Sequence, residues 1–553
     1  MSLEDHNFLK PNVESPKHTN TSTPNRHVRF LLPLLPILIC FLWIGFYGLD
    51  FGTHWDEPSA KFASVKATLQ TGIFLQGAEG IFAATYNYGG VNYLLTWAGL
   101  APEVSHFLTH DPFTREALSA AISPILNEHH VRMRVRRIYL LLSALSLVWL
   151  YWLCLILGRT RVEAFLAAAI LGGSWEFGYH SRWIAPDVVM AQFALLAFLC
   201  IAMGLTRKTR RWFDFAAVAA GLATGTKYPG ALVVLFVIAA ATRVQWQLGE
   251  RWTSILKRTA KLGGIAFATF VITSPGILID PFRFVAELKF EREVYATGFF
   301  GHTVKPGLTH LLAILKYFFL ELFSPYWTVS GLLAVLCMIG LVILGKEMRT
   351  FNVLALLFAG VYVFYFSTQG AMLVRNLMVV APFLCLAAAR GIMALSDRIR
   401  PRLWWGFATI VGVALLLSYG WQVGAAVTVK FRHHQEDFVS QFTDYVRKSP
   451  SVTVLMSAKL SKYLNQYGGQ IPQNLTTDPT IPHDKVAFLQ SEGADVHWEK
   501  WPANWWGMYE ATFGAREVNL EAYPTFVGNE RIHLTSNRHF ERLPLKTEEM
   551  IKP

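Results

Sequence analysis

The sequence predicts an all-α polytopic membrane protein of about 11 transmembrane helices, followed by a small C-terminal α/β domain. Three observations carry this. Of 553 residues, 53% are hydrophobic and only 16% charged, too apolar for an ordinary soluble chain. The apolar residues fall into runs long enough to cross a bilayer. The Lys and Arg residues gather in the short segments between alternate runs, as cytoplasmic loops require.

Met1 to Arg29 is rich in Asn, Pro, Ser, Thr and His and nearly free of apolar residues, so it reads as a disordered cytoplasmic tail (residues 1–29). Arg26 and Arg29 precede Phe30 to Tyr47, a nearly uncharged run with no small-residue cleavage site after it. This predicts a retained anchor with its N-terminus inside. Further runs, each roughly 17 to 22 residues, are Ile138 to Leu157, Val188 to Leu205, Leu262 to Ile279, Tyr326 to Leu344, Phe351 to Ser367, Asn376 to Leu395 and Trp404 to Ala425. Val162 to Gly178 is a weaker run, with Glu163 and Glu176 expected at its interfaces.

Asp214 to Thr242 would bury Lys227 at bilayer depth if it were one helix. The sequence GTKYPG, Gly225 to Gly230, resolves it as a turn between two arms, either tilted spans or a re-entrant hairpin. The basic loops all fall on one side if Thr309 to Phe323 does not cross and lies in the outer interface instead. Residues 30–429 then form the transmembrane domain, with long outer loops 49–137 and 280–324, in which Pro58 to Leu75 and Pro112 to Asn127 read as helices. Residues 430–553 form a soluble domain outside, with a helix expected at Gln435 to Lys448 and strands at Val452 to Ser457 and Lys485 to Gln490. Trp498, Trp501, Trp505 and Trp506 in that domain read as core or interfacial anchors, with ligand contact as the alternative.

The net charge of +12 reports this topology, and no nucleic-acid-binding module is visible. The five cysteines lie inside apolar runs at spacings that suit neither a metal nor a disulfide framework. No internal repeat or pair of matching halves is evident, which weakens a transporter reading. The signatures GxSxG, HExxH and a GxGxxG after a strand are absent.

Chemistry-bearing residues cluster at the outer ends of the spans. Asp56 and Glu57, in GTHWDEPSAK just past the first run, place two adjacent carboxylates at a membrane surface, where they repel anionic headgroups and lose solvation. Their alternative role is to open a helix before Pro58. Arg182 and Asp187 lie in YHSRWIAPD, Lys227 and Tyr228 in the GTKYPG turn, His302 in FEREVYATGFFGH, and Arg375 in QGAMLVRN. A cation at a span end can simply snorkel to lipid phosphate, yet three of them stand on the face that should be poor in cations. Asp187 after Pro186 suits a helix start, or orients Arg182. His302, among Gly298, Gly301 and Gly307, reads as a surface residue or as a base or ligand on a closing loop.

Taken together, the Asp56-Glu57 pair, SRWIAPDVVMAQFALLA (Ser181 to Ala197) and GLATGTKYPGALV (Gly221 to Val233) resemble the GT-C polyprenyl-phosphate-dependent glycosyltransferases. The nearest kinds are protein O-mannosyltransferase-like (glycosyltransferase family 39) and lipid A aminoarabinose-transferase-like. The resemblance spans roughly residues 30 to 400. It implies a sugar donor on undecaprenyl or dolichyl phosphate, an acceptor that is a lipid, glycan or protein, and inverting transfer at the outer face of the plasma (inner) membrane. It makes Asp56 the base, with Glu57 beside it, and Lys227 and Arg375 the phosphate-holding residues, with Arg182 a possible addition. Relatives often have Arg-Tyr where this chain has Arg375-Asn376. No cofactor is implied as required; a divalent metal would draw on His54, Asp56 and Glu57. The competing reading is a transporter or flippase of lipid-linked sugars.

Overall fold

The computed structural model describes residues 32–50, 86, 88–110, 114–122, 125, 128–298 and 303–431, and from the C-terminal part residues 443, 446–448, 450–456, 461, 471–478, 480–482, 484–490, 518–521 and 531–536. Helix dominates. The first helix, α1 (Leu35–Tyr47), starts with a proline in its first turn, where the ring costs no hydrogen bond. Short helices α2 (Val91–Gly99), α3 (Ala101–His110) and α4 (Arg115–Ile122) follow, the last lying within the helix expected at Pro112 to Asn127. The bundle then runs through α5 (His129–Ile156), α6 (Arg161–Gly173), α7 (Trp175–His180), α8 (Pro186–Arg207), α9 (Arg210–Thr226), α10 (Leu232–Gln247) and α11 (Trp252–Thr273). After it come α12 (Gly276–Ile279), α13 (Pro281–Thr297), α14 (Leu308–Leu320), α15 (Trp327–Glu347), α16 (Thr350–Ser367), α17 (Ala381–Ser396) and α18 (Pro401–Phe431).

Six helical stretches among the described residues are long and apolar enough to cross a bilayer, with Leu32–Tyr47, Leu308–Leu320 and Ala381–Ser396 as shorter apolar helices. The chain is an integral membrane protein of helical, polytopic architecture. α8 is its axis: it is buried along most of its length and packs on α5, α9, α10 and α16.

Three expected runs are interrupted. Val162 to Gly178 breaks at Ser174, whose hydroxyl accepts from Phe177 N–H to cap α7 and donates to the Leu322 carbonyl at 2.5 Å. Glu163 and Glu176, expected at interfaces, are instead buried, at 2% and 4% exposure. Glu163 is compensated by charge, standing 3.6 Å from Arg159 and 3.7 Å from Arg390, while Glu176 lies 3.1 Å from the His180 ring. Leu262 to Ile279 ends as a helix at Thr273, because Pro275 disfavours the helical conformation at Ser274. Asn376 to Leu395 opens with a 3₁₀ turn, Val374–Val379, before α17 begins.

Asp214 to Thr242 is two full arms, α9 and α10, joined by the 3₁₀ turn Tyr228–Ala231. α14 begins and ends at one face of the bundle. Gly307 N–H donates to the carbonyl of Ser367 at the end of α16, while at its other end Trp175 Nε1 donates to the Glu321 carbonyl beside the end of α6. That geometry agrees with a segment that does not cross.

At the opposite face Arg159 reaches both carboxylate oxygens of Glu347, at 3.0 and 2.5 Å, and Arg390 joins at 2.9 Å. Close helix contacts rest on glycine. A Cβ at Gly340 would stand 1.7 Å from the Ala387 carbonyl oxygen, and one at Gly391 1.9 Å from that of Leu336, so the backbones of α15 and α17 touch.

The C-terminal strands are β1 (Val454–Met456), β2 (Leu475–Thr476), β3 (Lys485–Gln490), β4 (Val518–Glu521) and β5 (Arg531–Ser536), in the order β2-β1-β3-β5-β4. β1 pairs parallel with β2 and β3, while β5 pairs antiparallel with β3 and β4. Parallel pairing needs crossover connections, as an α/β arrangement supplies. β1 falls within the expected strand Val452 to Ser457, and β3 matches Lys485 to Gln490. The tail 1–29, the helix at Pro58 to Leu75, most of Gln435 to Lys448 and the four tryptophans from Trp498 to Trp506 lie outside the described residues.

Candidate active site

Asp187 is placed by Pro186. Ala185 is extended (φ −132°, ψ 146°), Pro186 starts α8, and Asp187 sits in its first turn, where the helix dipole favours a carboxylate. The helix-start role is therefore met by Asp187. Lys227 follows the last residue of α9 in an extended conformation (φ −151°, ψ 132°). The turn behind it closes because Gly230 has no side chain: a Cβ there would stand 2.5 Å from the Ala223 carbonyl. Gly225 is bare for a related reason, since a Cβ there would meet Thr273 Oγ1 at 2.3 Å, and the segment at Gly89 lies directly on its carbonyl. The GTKYPG sequence thus does two jobs, turning the chain and admitting neighbouring backbone.

These elements bring three of the expected residues into one buried cluster. Lys227 Nζ donates to Asp187 Oδ1 at 2.6 Å, and Arg375 Nε lies 3.7 Å from Asp187 Oδ2. Asp187 is 1% exposed, Lys227 6% and Arg375 7%. Lys227 also donates to the Asn376 side-chain oxygen. The Tyr295 hydroxyl stands 3.4 Å from that same oxygen, and Arg375 Nη2 donates to the Tyr88 hydroxyl at 3.4 Å. Two cations against one carboxylate leave one unit of positive charge in a low-dielectric pocket, where an anion would be held strongly.

Asp187 therefore orients Lys227 and Arg375, where the sequence suggested Arg182. Arg182 sits apart, buried, with its guanidinium against Gly48 at the end of α1; a Cβ at Gly48 would be 2.6 Å from Nη1. Tyr228 directs its hydroxyl to the Tyr86 carbonyl at 2.6 Å and so ties that part of the 49–137 stretch to the turn. Tyr86 in turn donates from its hydroxyl to the Gly276 carbonyl. Burial, with Asp280 and Glu287 nearby, pushes that hydroxyl up to about 12, so it stays a donor at neutral pH.

Asp56, Glu57 and His302 lie outside the described residues. Gly298 and Gly307, which flank His302, take φ of 109° and 90°, positions that L side chains avoid. Among the described residues no group of three or more metal-type ligands gathers. Sequence reasoning passed over Asn376, Tyr295 and Tyr88 as site residues. Asn376 adjoins Arg375 and Tyr295 follows the charged stretch Glu291 to Glu293, so adjacency was the available signal; nothing in the sequence marks Tyr88.

Residues 119–285 match the family model of the dolichyl-phosphate-mannose-protein mannosyltransferases. The mannosyltransferase match contains Ser181 to Ala197 and Gly221 to Val233, the two stretches on which the resemblance rests, and with them Asp187 and Lys227. The resemblance to polyprenyl-phosphate-dependent glycosyltransferases is shown over that part of the chain, whereas Arg375 and the first acidic pair lie outside the match. Among solved structures, ArnT from Cupriavidus metallidurans bound to undecaprenyl phosphate is similar at 13% identity, covering 93% of this chain and 98% of that one, with a TM-score of 0.46. The apo state of the same protein gives 12% identity, coverage of 94% and 99%, and a TM-score of 0.48. No curated protein sequence matches the chain.

Proposed function

We propose that this chain is a membrane glycosyltransferase that moves a hexose or pentose from a polyprenyl-phosphate carrier to an acceptor hydroxyl or amine at the extracytoplasmic face, with inversion. The observation that carries the reading is the buried Asp187–Lys227–Arg375 cluster, two of whose members belong to the matched stretch. In this reading Lys227 and Arg375 receive the carrier phosphate and Asp187 holds both cations in place before it arrives, so little reorganisation accompanies the reaction. The leaving phosphate is already charged, so no general acid is called for. Asp56 takes the acceptor proton, with Glu57 beside it. The inner membrane, a cytoplasmic N-terminus and an extracytoplasmic C-terminal domain over residues 430–553 belong to the same proposal.

Membranes containing the chain, given radiolabelled polyprenyl-phosphate sugars, are expected to lose label from the lipid to an acceptor. Label that crosses the membrane while still bonded to the carrier would instead favour the flippase reading. Asp56→Asn is expected to reduce transfer by at least about 100-fold, the usual lower range for a general base, with membrane insertion unchanged. Full turnover in that variant would remove Asp56 from the mechanism.

Lys227 and Arg375 supply fixed positive charge of the kind a metal otherwise provides at phosphate. Chelation is therefore expected to leave transfer intact. Activity lost to chelator and restored by manganese or magnesium would assign a required metal.

A further inference from the structure

A second buried ionisable pair lies beside the cluster and has no part in the scheme above. Glu176 and His180, one helical turn apart on α7, are each 4% exposed. His180 Nε2 stands 3.1 Å from Glu176 Oε2, and among the described residues His180 Nδ1 has no hydrogen-bond partner. The imidazole is walled by the rings of Tyr179 at 4.7 Å and Trp183 at 4.8 Å. α7 packs directly on α8, which carries Asp187, and on the 3₁₀ turn Val374–Val379, which carries Arg375 and Asn376. His180 lies within electrostatic reach of Asp187.

Among the described residues, the charged and titratable groups around the pair are few. From α8 there is Asp187, from the 3₁₀ turn Arg375, and from α14 Tyr317 and Glu321, with Tyr317 close to Glu176. α18 presents the neutral Gln422 amide, which is committed to the Gly172 and Gly173 carbonyls. Arg182 follows two residues along the chain. A buried imidazole with a free nitrogen and one carboxylate partner is an expensive arrangement for packing alone, because an unpaired buried nitrogen costs about 1–3 kcal/mol. It suits a group whose charge is meant to change, since imidazole is the side chain that titrates near neutrality.

The proposed reaction creates a need for such a change. In the donor the carrier phosphate is a diester with one negative charge, which the single net positive charge of Asp187, Lys227 and Arg375 matches. Transfer breaks the acceptor O–H bond, forms the acceptor-oxygen bond to the anomeric carbon and breaks the bond from that carbon to the phosphate oxygen. The electron pair stays on the phosphate, which becomes a monoester with a second pKa of about 6 and so tends towards two negative charges. One proton is released. A buried site cannot hold an extra unit of charge cheaply.

We infer that the Glu176–His180 pair is a positioning element that takes up one proton as the carrier phosphate passes from diester to monoester, keeping the buried cluster electrically balanced through Asp187 and Arg375. The proton that Asp56 takes from the acceptor is then passed on, so Asp56 returns to its carboxylate form, the pair changes from a net negative charge to neutral, and no further reactant is needed. This rests on the glycosyl-transfer reading above, and its thermodynamic half can be measured without turnover.

The test is calorimetric binding of undecaprenyl phosphate and of its methyl phosphodiester to the purified full chain, in buffers of different ionisation enthalpy at about pH 8, where the free monoester is already doubly charged. The monoester is expected to bind with uptake of about one proton and the diester with almost none. His180→Gln is expected to lose the uptake and to weaken monoester binding about tenfold, with diester binding within about twofold of the parent. Glu176→Gln, which removes the carboxylate that would hold the proton, should behave the same way and serves if the histidine variant does not insert. Equal uptake with both lipids in the unmodified chain, or uptake unchanged in either variant, would overturn the inference. Uptake present with no transfer of label from any donor would sink the glycosyltransferase reading alone; transfer with no uptake would sink this inference alone.

Discussion

Lys227→Met is expected to destabilise the protein by about 3 kcal/mol and to abolish sugar transfer. Breaking a buried ion pair typically costs about 3–5 kcal/mol, because the partner is left charged and unsatisfied. The lower end applies here, since Asp187 keeps Arg375 at 3.7 Å after the lysine is gone. The double variant Asp187→Asn, Lys227→Met removes the stranded carboxylate but also takes its counter-charge from buried Arg375, so it should recover only part of the stability. It should recover none of the transfer, because the cation that receives the phosphate is still missing. Thermal unfolding in detergent, read together with the labelled-donor assay, separates these outcomes. A double variant as unstable as the single one would mean that Lys227 is chiefly a packing residue.

Gly391→Leu is expected to prevent assembly of the bundle. Within a membrane there is little hydrophobic drive between helices, so association depends on close contact. Here the contact is between backbones: a Cβ at Gly391 would stand 1.9 Å from the Leu336 carbonyl oxygen and 3.0 Å from Gly340 N. Ordinary overpacking costs about 1–3 kcal/mol because side chains can move aside. A carbonyl held in a helix cannot, so the penalty should exceed that range. Gly331→Leu and Gly345→Leu on α15, where nothing lies within 4 Å of an added Cβ, are the controls and should assemble normally. The monodisperse fraction on size-exclusion chromatography in mild detergent reports the result, and equal fractions for Gly391→Leu and its controls would show that the seam is softer than its geometry indicates.

Much of the architecture was legible because the bilayer restricts the choices. Run length marked the helices, loop charge marked their alternation, and Lys227 in the middle of Asp214 to Thr242 demanded a turn, which stands at Tyr228–Ala231. The breaks at Ser174 and Ser274 were missed because both residues interrupt runs that stay apolar on either side, and hydropathy does not register a cap. For the site, Asp187, Lys227 and Arg375 were found as charges near span ends. Their mutual pairing was not, since it depends on how α8, α9 and the turn before α17 converge across 40 to 188 residues of sequence separation. Asn376 followed from the same convergence, its amide meeting the hydroxyl of Tyr295 from α13. Arg182 looked equivalent to the other cations in sequence, yet the bend between α7 and α8 turns it towards α1.

The salt links among Arg159, Glu163, Glu347 and Arg390 act as a hinge pin. They lock α6, α15 and α17 together at one end of those helices. On the proposed reading the helices would part more readily away from that clasp, and a long-tailed carrier would enter sideways there.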